Sequence, residues 1–231
     1  MVLKIPASFK ELRFLQLTLY TIFFLIISPV LSHNWPLSIL TELFLLNALL
    51  VSLSAGGRQV RLKWSLWSLW GAGLVCFLLG DIGVAPALTP LFQLLDIIFN
   101  SLLLLVCIFV ILALIFQSQR VTIDTIFAAL MNYMLIAFLY AQFYQFLLIL
   151  DPRSFKLPAS LFPDAFRIFH IDLLYFSMVT ITTVGFGDIV AQTGVARMTA
   201  AVEAMIGPFY IAILVAWLVG MFISQSIRSS Q

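Results

Sequence analysis

Long apolar runs separated by short polar breaks set the rhythm of this chain, and the runs have the lengths that a bilayer demands. Positions 14–31, 37–53, 66–79, 94–116, 123–150 and 198–223 are each dominated by apolar residues. They predict six transmembrane helices, because a helix satisfies its own backbone and about 20 apolar residues cross a membrane. A seventh apolar piece, 171–181, is too short. At about 1.5 Å per residue it reaches roughly 16 Å, half of a hydrocarbon core about 30 Å thick. It must therefore be re-entrant or superficial. Irregular backbone at membrane depth is tolerated only where it lines a cavity or is buried in protein, which points the residues that follow, 182–187, at a pore.

The breaks carry the punctuation. Lys4, Lys10 and Arg13 precede the first run in the manner of a secretory signal, but no small-x-small cleavage site follows at Ser32, His33, Asn34 and Trp35. The run is read as the first span, with Pro29 ending or kinking it near the interface. Glu42, early in the second run, either snorkels to the outer interface or faces a polar partner. Gly56 and Gly57 lead to a basic turn of Arg58, Arg61 and Lys63, then to Trp64, Trp67 and Trp70 as an interfacial belt. Gly71 and Gly73 allow close helix packing in the third run. Gly80, Asp81, Gly83, Pro86 and Pro90 mark a loop, after which Asp96 falls near the start of the fourth helix as a first-turn acid. A linker over 151–170 with Pro152, Pro158 and Pro163 precedes the short piece.

Composition agrees with the pattern: 63% of the 231 residues are hydrophobic and 10% charged, against roughly 25% charged in soluble domains. The net charge of +2 is small and its basic residues sit in loops, so it reports topology and not nucleic-acid binding. Lys4, Lys10, Arg13, Arg58, Arg61, Lys63, Arg120 and Arg228 fall on one side of the six spans, and Arg153, Lys156, Arg167 and Arg197 on the other. The first side is therefore expected to be cytoplasmic, with both termini inside and the short loop entering from outside. Cys76 and Cys107 lie inside apolar runs and are read as packing residues. Metal-ligand spacing, a nucleophile elbow and a phosphate loop are all absent from the sequence, which argues against an enzyme.

The stretch 175–188 reads Tyr-Phe-Ser-Met-Val-Thr-Ile-Thr-Thr-Val-Gly-Phe-Gly-Asp. Gly185 and Gly187 alternate with side-chain-bearing residues and can enter the positive-φ region cheaply, so successive carbonyls can face one axis. Several copies around that axis make rings of oxygens able to replace the hydration shell of a cation.

The string Thr-Thr-Val-Gly-Phe-Gly-Asp resembles the filter of the tetrameric potassium channels, and Tyr-Phe-Ser-Met-Val-Thr resembles their pore helix; the resemblance covers about the last hundred residues. It implies an all-α membrane protein of six transmembrane helices, with a re-entrant pore helix and selectivity filter between the fifth and sixth, assembled as a homotetramer. Residues 1–120 would form a four-helix domain and 121–231 the pore domain. The filter would be Thr182, Thr183, Val184, Gly185, Phe186, Gly187 and Asp188, with K+ held at Thr183, Val184, Gly185 and Phe186. Tyr175, Phe176 and Val179 would support it, the two aromatics as a cuff behind Val184 and Phe186, and Asp188 would bond Tyr175 or concentrate cations at the mouth. Phe186 stands where the commonest form of the motif has Tyr. The pore helix would aim about half an elementary negative charge per chain at a central cavity.

Gly207 and Pro208 in the last run fit a gating hinge, or tight packing against the pore helix. Glu203 either pairs with Arg197 or faces the back of the filter, and His170 either tunes the outer mouth or is a solvated or capping residue. The expected partners are three further copies, membrane lipids and K+, with no cofactor beyond K+ and no nucleic acid, in a plasma or bacterial inner membrane. Non-selective cation conduction and a non-conducting regulatory or structural subunit are the alternatives. A voltage sensor needs several basic residues along one span, since each charge moved is worth only about 2.3 kcal/mol per 100 mV. The fourth run contains no Lys or Arg, so strong voltage dependence is not expected.

Overall fold

The computed structural model describes residues 13–31, 45, 48, 60–82, 88–118, 120–156 and 171–228. Six helices are described: α1 (Arg13–Leu31), α2 (Val60–Ile82), α3 (Thr89–Gln117), α4 (Ile123–Leu150), α5 (Ile171–Ile181) and α6 (Gly194–Arg228). A 3-10 turn (Pro152–Ser154) and two short strands, β1 (Phe155–Lys156) and β2 (Val190–Ala191), flank α5. Among the described residues, Thr89–Gln117, Ile123–Leu150 and Gly194–Gln225 are long and apolar enough to cross a membrane, and shorter apolar helices cover Arg13–Ile27, Trp64–Gly80 and Ile171–Ile181. The expected second span, 37–53, with Glu42, lies outside the described residues except for Leu45 and Ala48, both helical and buried.

Local chemistry sets the ends of the helices. Thr122 and Thr125 form a reciprocal capping box, with Thr125 N–H on Thr122 Oγ1 at 3.1 Å, and α4 begins there as the apolar run does. Helix α3 starts earlier than its apolar run, at Thr89, because Pro90 in the first turn has no N–H to lose and a φ already suited to the helix. This corrects the reading of Asp96 as a first-turn acid. It stands two turns in, and its carboxylate accepts from Asn100 Nδ2 at 2.8 Å. Helix α2 also starts earlier, taking the basic turn at Arg61 and Lys63 into its first turns. Helix α1 continues two residues past Pro29.

The five residues 118–122 join α3 to α4, so the two pack as antiparallel neighbours within one chain. The buried face of α3 is Ile97, Asn100, Leu103, Leu104, Cys107, Ile108, Ile111 and Ile115, a helical stripe. Helix α1 runs parallel to α4. Asp124 Oδ1 accepts from the N–H groups of Phe14 (2.9 Å) and Leu15 (3.4 Å), capping the start of α1 from another helix. Farther along, Thr21 meets Met131 and the Phe24 ring lies 6.1 Å from that of Phe138. Helix α6 runs antiparallel to α4: Glu203 faces Tyr144, Tyr210 faces Ala129 and Tyr133, and Trp217 meets Phe116 at the end of α3. Helix α5 sits between the C-terminal half of α4 and the N-terminal half of α6.

Candidate functional site

The site begins with how α5 ends. Its last turn does not continue as helix; the N–H groups that follow fold back on its own carbonyls. Thr182 N–H reaches Met178 O (3.2 Å), Thr183 N–H reaches Thr180 O (2.9 Å), and the N–H groups of Val184 and Gly185 both reach Val179 O (3.0 and 3.3 Å). The Thr182 hydroxyl donates to Met178 O at 2.6 Å. These bonds turn four successive donors toward α5. Val179 thus supports the segment through its carbonyl.

Beyond the turn, the backbone alternates in hand: φ is +59° at Thr183, +56° at Gly185 and +78° at Gly187, while Val184 and Phe186 between them are not in the positive-φ region. The alternation expected from the two glycines therefore extends back to a threonine, at a cost of about 1–2 kcal/mol for a residue with a Cβ. Among the described residues, no hydrogen bond is accepted by the carbonyls of Thr183, Val184, Gly185 or Phe186. The whole stretch 182–188 is exposed, Val184 at 53% and Phe186 at 70%. A string of exposed carbonyls whose preceding N–H groups, from Thr182 to Gly185, are turned toward α5 presents oxygens suited to a cation.

The flanks hold this string at both ends. The Phe186 ring stacks on Tyr175 with centroids 6.5 Å apart and planes 7° from parallel, and the Tyr175 hydroxyl faces the Asp188 carboxylate. Phe176 faces the other way, against Tyr144 (5.2 Å) and Phe155 (5.5 Å). It braces α5 against α4 and does not touch Phe186, so the cuff is Tyr175 alone within one chain. After Asp188, β2 pairs antiparallel with β1 in the register Phe155 with Ala191 and Lys156 with Val190, and Gln192 N–H donates to Ser154 O at 2.8 Å. The segment leaving the site is thereby tied to the end of α4. Asp151 there accepts from Arg153 N–H (3.0 Å) and Nε (3.2 Å), contacts that hold its carboxyl below the usual carboxylate range.

On the far side of α5, α6 runs unbroken through Gly207 and Pro208. A Cβ on Gly207 would overlap the Ile181 carbonyl oxygen, which also accepts from Tyr133 OH at 2.8 Å. Of the two readings of Gly207, the close-packing one has a contact behind it. Arg197 and Glu203 do not pair: Arg197 Nε donates to Ala191 O at 3.3 Å, and Glu203 is buried against Tyr144 and Ser177. Of the two sequence-based alternatives for Glu203, the pairing with Arg197 is not found, and neither Tyr144 nor Ser177 is signalled as its partner by the sequence. His170 and Arg167 lie outside the described residues. Cys76 and Cys107 are unbridged, and among the described residues no group of three or more His, Cys, Asp or Glu side chains is placed to hold a metal ion.

Residues 157–224 match a family model described as an ion channel. The match spans α5, the 182–188 string and most of α6, which is where the alternating backbone, its bonds to α5 and the Tyr175 stack lie; Ser154 and β1 fall just before it. It supports an ion channel as the class of protein and, with the long apolar helices, a membrane location. No curated protein and no solved structure matches the chain.

Proposed function

We propose that the chain is the subunit of a homotetrameric, potassium-selective channel that conducts K+ passively, with six spans, both termini cytoplasmic and the 182–188 string entering from outside. The observation that carries this reading is the alternation of backbone hand at Thr183, Gly185 and Gly187, joined to the spending of four consecutive N–H groups on α5. A carbonyl string of this kind offers one oxygen per level, and a dehydrated cation needs a ring, so four copies complete it. The exposed apolar side chains along α6, Met198, Val202, Met205, Phe209 and Ile213 among them, are faces that neighbouring subunits and lipid would cover. Several K+ sites in a row bind tightly enough to strip water, and repulsion between neighbouring ions releases them.

Gating by voltage is expected to be weak, because α3 carries no Lys or Arg and so lacks the row of basic side chains that a voltage sensor moves in the field. The test is potassium flux into liposomes holding the purified chain alone. Flux that barium blocks is the expected result. Equal flux of sodium would make the protein a non-selective cation channel, and no flux of either would make it a non-conducting subunit.

A further inference from the structure

One carboxyl group, Glu203 on α6, is wholly buried behind α5. Its Oε2 accepts from the Tyr144 hydroxyl at 2.5 Å, and its Oε1 is in hydrogen-bond contact with Ser177 Oγ. Ser177 Oγ in turn donates to the Ala137 carbonyl at 2.7 Å. Three helices meet at this point: α4 brings Ala137 and Tyr144, α5 brings Ser177, and α6 brings the acid. No Lys, Arg or His among the described residues forms an ion pair with Glu203. The other ionisable groups of α4 that face it are the phenols of Tyr133 and Tyr140, and α5 presents only the Ser177 hydroxyl.

Protons decide the charge of the site. The Ala137 carbonyl has none to give, so the Ser177 hydroxyl supplies the one in that bond. The Tyr144 hydroxyl supplies the one on Oε2. The contact between Ser177 Oγ and Oε1 then has two sets of lone pairs facing each other, unless the carboxyl brings a proton of its own. A carboxylic acid fills all three contacts: Oε1–H donates to Ser177, Ser177 donates to Ala137, and Oε2 accepts from Tyr144. A carboxylate leaves one contact without a proton and an uncompensated charge in a buried apolar setting, which proteins avoid by neutralising the group.

We propose that Glu203 is held as a neutral carboxylic acid and is a positioning residue for the carbonyl string, fixing α5 to α4 and α6 through Ser177 and Tyr144. Ser177 stands five residues before Thr182 on the helix that carries the string, so the register of α5 sets where the carbonyls of 183–186 lie. The functional half of this proposal rests on the channel reading; the proton half does not.

Infrared difference spectroscopy on the purified full-length protein, wild type against Glu203→Gln, tests the proton directly. The expected result is a protonated-carboxyl carbonyl stretch in the wild type that is missing from the variant. Identical spectra in that region would overturn the proposal. Glutamine can reproduce the contacts, with Nε2 donating to Ser177 and Oε1 accepting from Tyr144, whereas alanine leaves both hydroxyls without their partner. Potassium flux into liposomes is therefore expected to stay within about twofold in Glu203→Gln and to fall about tenfold in Glu203→Ala. A glutamine variant as impaired as the alanine one would show that a carboxylate is required, and the neutral-acid assignment would fall. Should the wild type itself pass no potassium, the channel reading fails, and the infrared band alone decides the state of Glu203.

Discussion

Replacing Gly207 with alanine separates its two readings by sign. A Cβ there would overlap the Ile181 carbonyl oxygen and lie 2.9 Å from the carbonyl carbon and 3.2 Å from Cγ1. The obstacle is backbone and cannot rotate aside, so α6 or the end of α5 has to move, and overpacking of this kind costs about 1–3 kcal/mol. The same movement strains the Tyr133 hydroxyl bond to Ile181 O, worth about 1 kcal/mol. Against these stands the gain of alanine over glycine inside a helix, about 1 kcal/mol. The net expectation is a loss of about 1–3 kcal/mol, whereas a glycine serving only as a hinge would give a gain of about 1 kcal/mol from helix propensity. Thermal unfolding of the detergent-solubilised protein, followed by tryptophan fluorescence, reads the difference. Taking about 2 kcal/mol and about 2–4 °C per kcal/mol, Gly207→Ala is expected to lower the midpoint by about 4–8 °C. An unchanged or raised midpoint would refute the contact and restore the hinge as the reason for this glycine.

Within one chain Gly185→Ala puts a Cβ on a residue with φ of +56° and nothing within 4 Å, so its cost there, about 1–2 kcal/mol, is conformational; potassium flux in liposomes is expected to be lost, and wild-type flux would contradict the carbonyl geometry. Asp124→Ala removes the acceptor for the N–H groups of Phe14 and Leu15 and is expected to cost about 1 kcal/mol, as loss of a helix cap does. Hydrogen exchange at these two amides should then speed up about fivefold, and unchanged protection would show that α1 is held by other means.

The parts of the fold that could be read in advance are those whose chemistry is local. Helix α4 begins and ends where expected because Thr122 caps it and Asp151 stops the apolar run. Helix α5 has the length that made it too short to span. The beginning of α3 is hidden in the sequence because Pro86 and Pro90 look like loop residues, although a proline in the first helical turn breaks no bond. At the site, the glycines announced their own dihedrals, but a threonine gives no signal for positive φ; Thr183 is held there between the bond from its own N–H to Thr180 O and those from Val184 and Gly185 N–H to Val179 O. The partners of Glu203 lie 26 and 59 residues away in sequence, and hydrophobic patterning does not say which acid in a span will be buried or against what. Gly207 is similar: its identity is visible in the sequence, and the carbonyl that requires it is not. The packing of α1 along α4, with Asp124 capping a helix more than a hundred residues upstream, has no local signature at all.

Under the proposed function the carbonyls of 183–186 select potassium. Reversal potentials of the purified protein in planar bilayers, with potassium on one side and sodium on the other, test it most directly. A potassium-selective string gives a reversal displaced strongly toward the potassium equilibrium potential and a loss of current in Gly185→Ala. A reversal near zero, with both cations carrying current, would contradict it.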